Sequence, residues 1–259
     1  MAVLLKDLSS DGVLTLTLNR PEKHNALNNE LMRAVEDAVV TAKNDPAVKV
    51  ILIRGEGKSF CSGADLGNLD EIRKNVIVLQ EHLSHYGNML LKLVDAGKPT
   101  IAAVTGYALA GGCGLAATAD ITFAAESAQF GIPEVTRGIW GMLITAPISR
   151  LVGTKKSLEL MYTDERFSAA EAERIGLINR VVPDDQLMQA ASDFAHTLAT
   201  RSPLAVRFGR DAMYKTRDME FSKSMDYLNN AVVLLNASED AAEGFRAFKE
   251  KREPVWQGK

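Results

Sequence analysis

Lipid-facing runs, a basic stripe and a cysteine framework are all missing from this 259-residue sequence. The longest uncharged stretch, Pro99 to Ala119, has the length of a membrane span, but it holds four glycines, a proline and many alanines and threonines. It lacks the Leu/Ile/Phe density that insertion into lipid requires, so no membrane partner is expected. The net charge of −3 comes from interspersed signs, which leaves nothing to neutralise a phosphate backbone and argues against nucleic acid. Two cysteines, Cys61 and Cys113, make no disulfide framework and read as buried free thiols. The N-terminal "MAVLLKDLSSDG" carries two aspartates and no arginine, unlike a secretory or transit segment, so a cytoplasmic protein is expected.

What is present is a chain that can bury a large core: 46% of residues are hydrophobic and 24% charged. "VLLKDL" and "VLTLTLN" read as two strands around the turn "SSDG". Leu31, Met32, Val35, Ala38, Val39 and Ala42 recur at helical spacing, and "VKVILIRG" follows as a buried-strand run. A helix is expected through "NVIVLQEHLSHYGNMLLKLVDAG", with strands at "PTIAAVTG" and "DITFAA". Strands separated by single helices imply right-handed crossovers and a largely parallel sheet, so the class is α/β. Beyond Pro133 the strand signal fades except at "GLINRVV", and helices dominate. Phe221, Met225, Leu228, Val232 and Leu235 trace one apolar helical face that must cover the chain's own core or a neighbouring subunit. Without repeat, low-complexity tract or flexible linker, the expected organisation is an α/β core over residues 1–195 and a helical C-terminal region over 196–259 that packs on the core or a neighbour.

Two loops sit where a strand gives way to a helix, the place where open α/β sheets put ligands: "SFCSGADL" and "GYALAGGCG". Glycine lets backbone approach a ligand, and helix-start N–H groups carry partial positive charge; two aimed at one point make an oxyanion hole. The second loop is not a phosphate loop, because Gly106 and Gly111 are not followed by lysine and a hydroxyl residue, and its glycine spacing does not fit a dinucleotide fingerprint. Taken alone, Gly111 and Gly112 would be read as small residues that allow close helix packing.

They do not stand alone. "NRPEKHNAL", "FCSGADL", "KPTIAAVTGYALAGGCGLAATADI", "AQFGIPEVTRGI", "ERFSAAEAERIGLINRVV" and "SEDAAEGFRAFKEKREPVW" occur in the order and spacing of the crotonase superfamily, the enoyl-CoA hydratases and isomerases, which the chain resembles over nearly its whole length. The resemblance implies a crotonase-like fold of ββα units and an acyl-CoA thioester substrate. It places the two oxyanion-hole N–H groups on Ala64 and Gly111. It implies that the CoA portion lies against Lys23, His24, Ala26, Ser62, Asp65 and Leu66, with Phe248 and Lys251 reaching a neighbour's CoA site. CoA enters as part of the substrate, so no further cofactor is expected, and the assembly implied is a homotrimer or homohexamer.

The resemblance breaks at one position that matters for the chemistry. Hydratases of this family typically carry two glutamates, one just after the glycine turn and one in the "PE" motif; here the first position is Gly114 and only Glu134 remains. Phe130, Ile132, Ile139 and Trp140 surround "PE" with apolar character, which would raise the Glu134 carboxyl toward the working pH. Addition of water divides proton work between two groups, whereas moving a double bond needs one carboxylate. Both reactions therefore stay open, with Asp120, Tyr107 or water as candidate helpers for hydration. A second departure is "WGMLITAP", where relatives carry a glycine-rich segment: Trp140 and Met142, with Gly114, are expected to shape the acyl pocket.

The same residues bear on other functional classes. None of the four histidines adjoins either cysteine in sequence, which gives a thiol nucleophile no visible base. His82 and His85 have helical metal-ligand spacing, with Glu81 adjacent, but no third ligand is evident, so no metal is expected. The rival outside the enzymes is a non-catalytic acyl-CoA-binding member, against which stand Gly111 and Glu134. The expected activity is enoyl-CoA hydration with Glu134 as acid/base, and isomerisation of 3-enoyl-CoA to 2-enoyl-CoA is the alternative.

Overall fold

The computed structural model describes residues 1–67 and 72–259. In chain order its elements are β1 (Leu4–Leu8), β2 (Val13–Leu18), α1 (Asn29–Asn44), β3 (Val50–Gly55), α2 (Val76–Val94), β4 (Thr100–Val104), β5 (Tyr107–Leu109), α3 (Gly111–Thr118), β6 (Ile121–Ala125), β7 (Gln129–Gly131), α4 (Met142–Thr163), β8 (Phe167–Ser168), α5 (Ala169–Arg174), β9 (Arg180–Val182), α6 (Leu187–Ala199), α7 (Pro203–Thr216), α8 (Phe221–Asn236) and α9 (Glu239–Glu250).

Six strands form the main sheet in the order β1-β2-β3-β4-β6-β9. The β1/β2 hairpin is antiparallel, and every later pair is parallel, as the strand–helix alternation requires. All five residues of β4 are buried, and β3 is buried except at Arg54, so both strands are covered on both faces. The six apolar residues expected on one face of α1 are the six that are buried there, and Asn28 caps the helix by accepting from Leu31 N–H. On α6, Ala191, Ala195 and Ala199 repeat every four residues and are buried, allowing this helix to lie close on β3, β4 and β6. The 195/196 division expected from the sequence falls inside α6.

A second, three-stranded sheet, β5-β7-β8, stands apart from the first. Its strands are two or three residues long, too short for alternation to announce them, and they exist because Tyr107, Ala108 and Leu109 pair with Gln129, Phe130 and Gly131. This small sheet carries the glycine turn on one strand and the "PE" motif just beyond another.

The helical region is tied to the core through charge. Arg210 on α7 donates to Asp120 at 2.7 Å and to the Val94 and Leu93 carbonyls at 2.6 and 2.7 Å, which caps the end of α2. In α9, Asp240 and Glu243 are buried and hold the C-terminal tail: Asp240 accepts from Gln257 and Gly258 N–H, and Glu243 binds Arg246 and Arg252. By contrast α8 buries none of its residues, and Phe221, Met225 and Val232 of its expected apolar face lie open. Among the described residues, no helix is long and apolar enough to cross a membrane.

Candidate active site

The two glycine-bearing turns meet. Loop 60–67 is stitched to the small sheet by Cys61 N–H to Tyr107 O at 2.9 Å and Leu109 N–H to Cys61 O at 3.0 Å. On its other side Leu27 N–H donates to Gly63 O at 2.7 Å and Asp65 N–H to Leu27 O at 2.9 Å. Gly63, at φ +97, lies so close to the second turn that a Cβ there would come 2.7 Å from Ala110 Cβ and 3.3 Å from Gly111 N. Both neighbours of Ala64 are thus committed to the strand-like bridge, while the Ala64 and Gly111 N–H groups, among the described residues, donate to no protein acceptor. Gly111 opens α3, where the first amides of a helix are without intrahelical partners.

The glycines of α3 have distinct reasons. A Cβ at Gly112 would overlap the Cys61 carbonyl, so this residue serves close packing. Ala110 before it sits at φ +51, a conformation costly for a residue with a Cβ and one met at ligand-binding turns. At Gly114, expected beside an acyl pocket, a Cβ would overlap Ile144 Cγ2 and come 2.5 Å from Tyr86 Oη. Tyr86 Oη donates to the Gly111 carbonyl at 2.7 Å, and its ring flanks the Gly111 Cα. Where the resemblance implies a first carboxylate, this chain places a phenol and an isoleucine.

Glu134 follows Pro133, whose fixed φ starts a short 3₁₀ turn, Pro133–Arg137, that Gly138 ends at φ +70. Burial raises the Glu134 carboxyl above its ordinary range, opposed by its own N–H and by Arg137 and reinforced by Asp164. Its Oε2 is buried with no hydrogen-bond partner. Phe130 and Ile132 are buried beside it, Trp140 is half-buried, and Ile139 is 51% exposed. Glu134 Oε1 lies 3.0 Å from where a Gly141 Cβ would stand, a position also crowded by Ile144, so Ile144 packs near both this carboxylate and Gly114.

The three expected pocket residues have different surroundings. Gly114 is capped as described, Met142 is 73% exposed, and Trp140 is held by Nε1–H donation to Thr145 at 3.1 Å and by an edge contact with Tyr162. Of the helpers considered for hydration, Asp120 is taken by Arg210, Tyr214 and Thr100 N–H, and Tyr107 lies under the Arg166 guanidinium. Neither stands at the Glu134 carboxylate.

The CoA-contact candidates fall on two loops that Arg20, a residue missed from sequence, clamps together by donating to Ala26 O at 2.5 Å and to Asp65 at 2.7 Å. Burial alone would raise the Asp65 carboxyl, but Gly67 N–H and Arg20 outweigh it and hold it below its ordinary range. Asn25, also missed, is fully buried at φ +54 and donates to the Glu56 and Ser59 carbonyls while accepting from Arg20 N–H. His24 contacts Ser59 Oγ at 3.0 Å, and Ser62 Oγ donates to Lys23 O at 3.4 Å. Ala64 and Leu66 are exposed. Lys23 and Asp65 line a cavity of about 400 Å³ with Arg20, Asn28, Asn29 and His82. Phe248 on α9 and Lys251, which ends that helix, are exposed, and α9 packs chiefly on α8 and the C-terminal tail. His85 accepts from Arg33 at 2.9 Å, and the same guanidinium faces Glu81, so a cation already occupies the face with metal-ligand spacing. The Cys61 and Cys113 thiols are both pushed up by burial to about 12, which keeps them protonated and poor nucleophiles.

Residues 9–259 match the family described as enoyl-CoA hydratase/isomerase. The chain is 38% identical over 240 residues, 92% of either chain, to a probable enoyl-CoA hydratase of Mycobacterium bovis, and 38% identical over 246 residues, 93% of either, to a crotonyl-CoA hydratase of Syntrophomonas wolfei. Its fold matches the crystal structure of an enoyl-CoA hydratase from Bacillus anthracis with a TM-score of 0.95 at 30% identity, covering 99% of this chain and 100% of that one. Sequence and backbone agree from end to end: the chain has the crotonase fold and belongs to the enoyl-CoA hydratase/isomerase family, whose enzymes hydrate or isomerise enoyl-CoA thioesters.

Proposed function

We propose that the protein hydrates a 2-enoyl-CoA to a 3-hydroxyacyl-CoA, with Glu134 moving the proton and the Ala64 and Gly111 N–H groups receiving the thioester oxygen. The observation that carries this reading is the pair of uncommitted main-chain N–H groups brought together by Gly63, together with a buried carboxylate that has an unpaired oxygen and acts electrostatically on Tyr86, whose ring flanks Gly111. Charge that builds on the thioester oxygen as an enolate forms would be met by fixed donors that need no rearrangement. A carboxylate raised by burial is a stronger base once ionised and a ready acid once protonated. Lys23, His24, Ala26, Ser62 and Leu66 would line the path of the CoA portion, which arrives with the substrate. The names of the relatives favour hydration.

Isomerisation is the second reading, and Gly114 is the observation in its favour. A single carboxylate suffices to take a proton at C2 and return it at C4, and residue 114 supplies no other. Incubation with 2-enoyl-CoA and 3-enoyl-CoA in ¹⁸O-labelled water separates the two. Label in a 3-hydroxyacyl product supports hydration; conversion of 3-enoyl to 2-enoyl without label overturns it in favour of isomerisation. Loss of turnover in Glu134→Gln with acyl-CoA binding kept would locate the proton transfer.

The assembly is proposed to be a homotrimer or a hexamer. Its support is apolar surface without a cover: Phe221, Val233 and Leu234 on α8 and Phe245 and Phe248 on α9 are each more than 60% exposed. Light scattering giving a mass of 28.1 kDa, that of one chain, would refute it.

A further inference from the structure

We propose that Tyr86 holds the water for hydration: its hydroxyl, fixed on the Gly111 carbonyl, accepts a hydrogen bond from the water that Glu134 deprotonates. This inference rests on the hydratase reading, and it supplies the second polar group that Gly114 removes. Three features of the structure lead to it. The Tyr86 hydroxyl stands within 2.5 Å of the point from which a side chain at 114 would start. Its one proton is committed to Gly111 O at 2.7 Å, so toward a ligand it presents lone pairs only. Its ring lies against Gly111, one of the two candidate thioester-binding residues.

A water molecule has two protons to place. One goes to the Tyr86 oxygen as a hydrogen bond and the other to the Glu134 carboxylate, which leaves an oxygen lone pair for C3. As the O–C3 bond forms, the water O–H bond to Glu134 breaks and the C2=C3 pair moves into the thioester as an enolate. Glu134 then delivers the proton it took to C2 and returns to a carboxylate. The sum is one water added, with no net proton demand on Tyr86. Burial, with Cys61, Cys113 and Glu134 nearby, raises the phenol well above its ordinary range, so it keeps its proton throughout and acts as an acceptor, not as a base.

The test separates water-holding from mere support of the Gly111 turn. Exchange of the C2 hydrogen of a saturated acyl-CoA in D₂O needs Glu134 and the oxyanion donors but no nucleophilic water. Tyr86→Phe should lower kcat for hydration of 2-enoyl-CoA by about 10²-fold, with KM changed little and C2 exchange retained within about threefold. Equal loss of hydration and exchange would reduce Tyr86 to a structural prop and overturn the proposal, as would unaltered hydration. Wild-type enzyme that exchanges C2 but never hydrates would sink the hydratase reading itself, and the water-holding role with it.

Discussion

Replacing Gly114 by alanine adds one methyl group and tests whether the missing carboxylate leaves an open slot or a filled one. Alanine in a helix interior is favoured over glycine by about 0.8–1 kcal/mol. Against that gain stands overpacking, since the new Cβ would overlap Ile144 Cγ2 and approach Tyr86 Oη to 2.5 Å inside a fully buried segment. Forcing a methyl into a packed core costs about 1–3 kcal/mol. With an overlap this severe the second effect wins, and Gly114→Ala should lose up to roughly 2 kcal/mol. Gly209 on α7 is the matched control: it is helical and exposed, and a Cβ there would meet nothing within 4 Å. Gly209→Ala should therefore gain about 0.5–1 kcal/mol. Urea unfolding midpoints of the two variants against wild type give opposite signs if the reasoning holds. A Gly114→Ala variant as stable as Gly209→Ala would mean that Tyr86 and Ile144 do not fill the space where a Cβ at residue 114 would stand.

Two further outcomes follow from the site. Activity that depends on the Glu134 carboxylate should rise with pH through a value above the ordinary glutamate range, because burial raises it; kcat/KM flat across pH 4 to 8 would contradict this. The same shift carries a stability sign: between the unfolded and the raised folded value the native state binds more protons, so native stability falls as pH rises through that window. Glu134→Gln abolishes this fall and should lower turnover by about 10²–10⁴-fold, whereas parallel stability curves for the two proteins would refute the raised carboxyl. Arg20→Ala removes the clamp on Ala26 and Asp65 and should cost about 2 kcal/mol, with KM for acyl-CoA rising more than kcat falls; unchanged KM would mean that these loops do not hold the CoA portion.

Residue order and periodicity were enough to reach the hairpin, the parallel sheet and the buried face of α1, because each rests on a local pattern of apolar side chains that any sheet or helix must bury. They were also enough to single out the loops bearing Ala64 and Gly111, since glycine at a strand-to-helix junction is a backbone requirement written into the chain. Other features had no local signature. The strands β5, β7 and β8 are created by pairing across distance, and Asp120 became a structural anchor only when α7 brought Arg210 to it. Arg20 sits inside a recognisable motif, yet its role depends on Asp65, 45 residues away. The site shows the same division. Sequence alone determined that one carboxylate is present and one is absent, because that is a matter of residue identity. Only the tertiary structure decided what stands in its place, since Tyr86, Gly114 and Ile144 come from three separate helices and meet through packing that no spacing along the chain encodes.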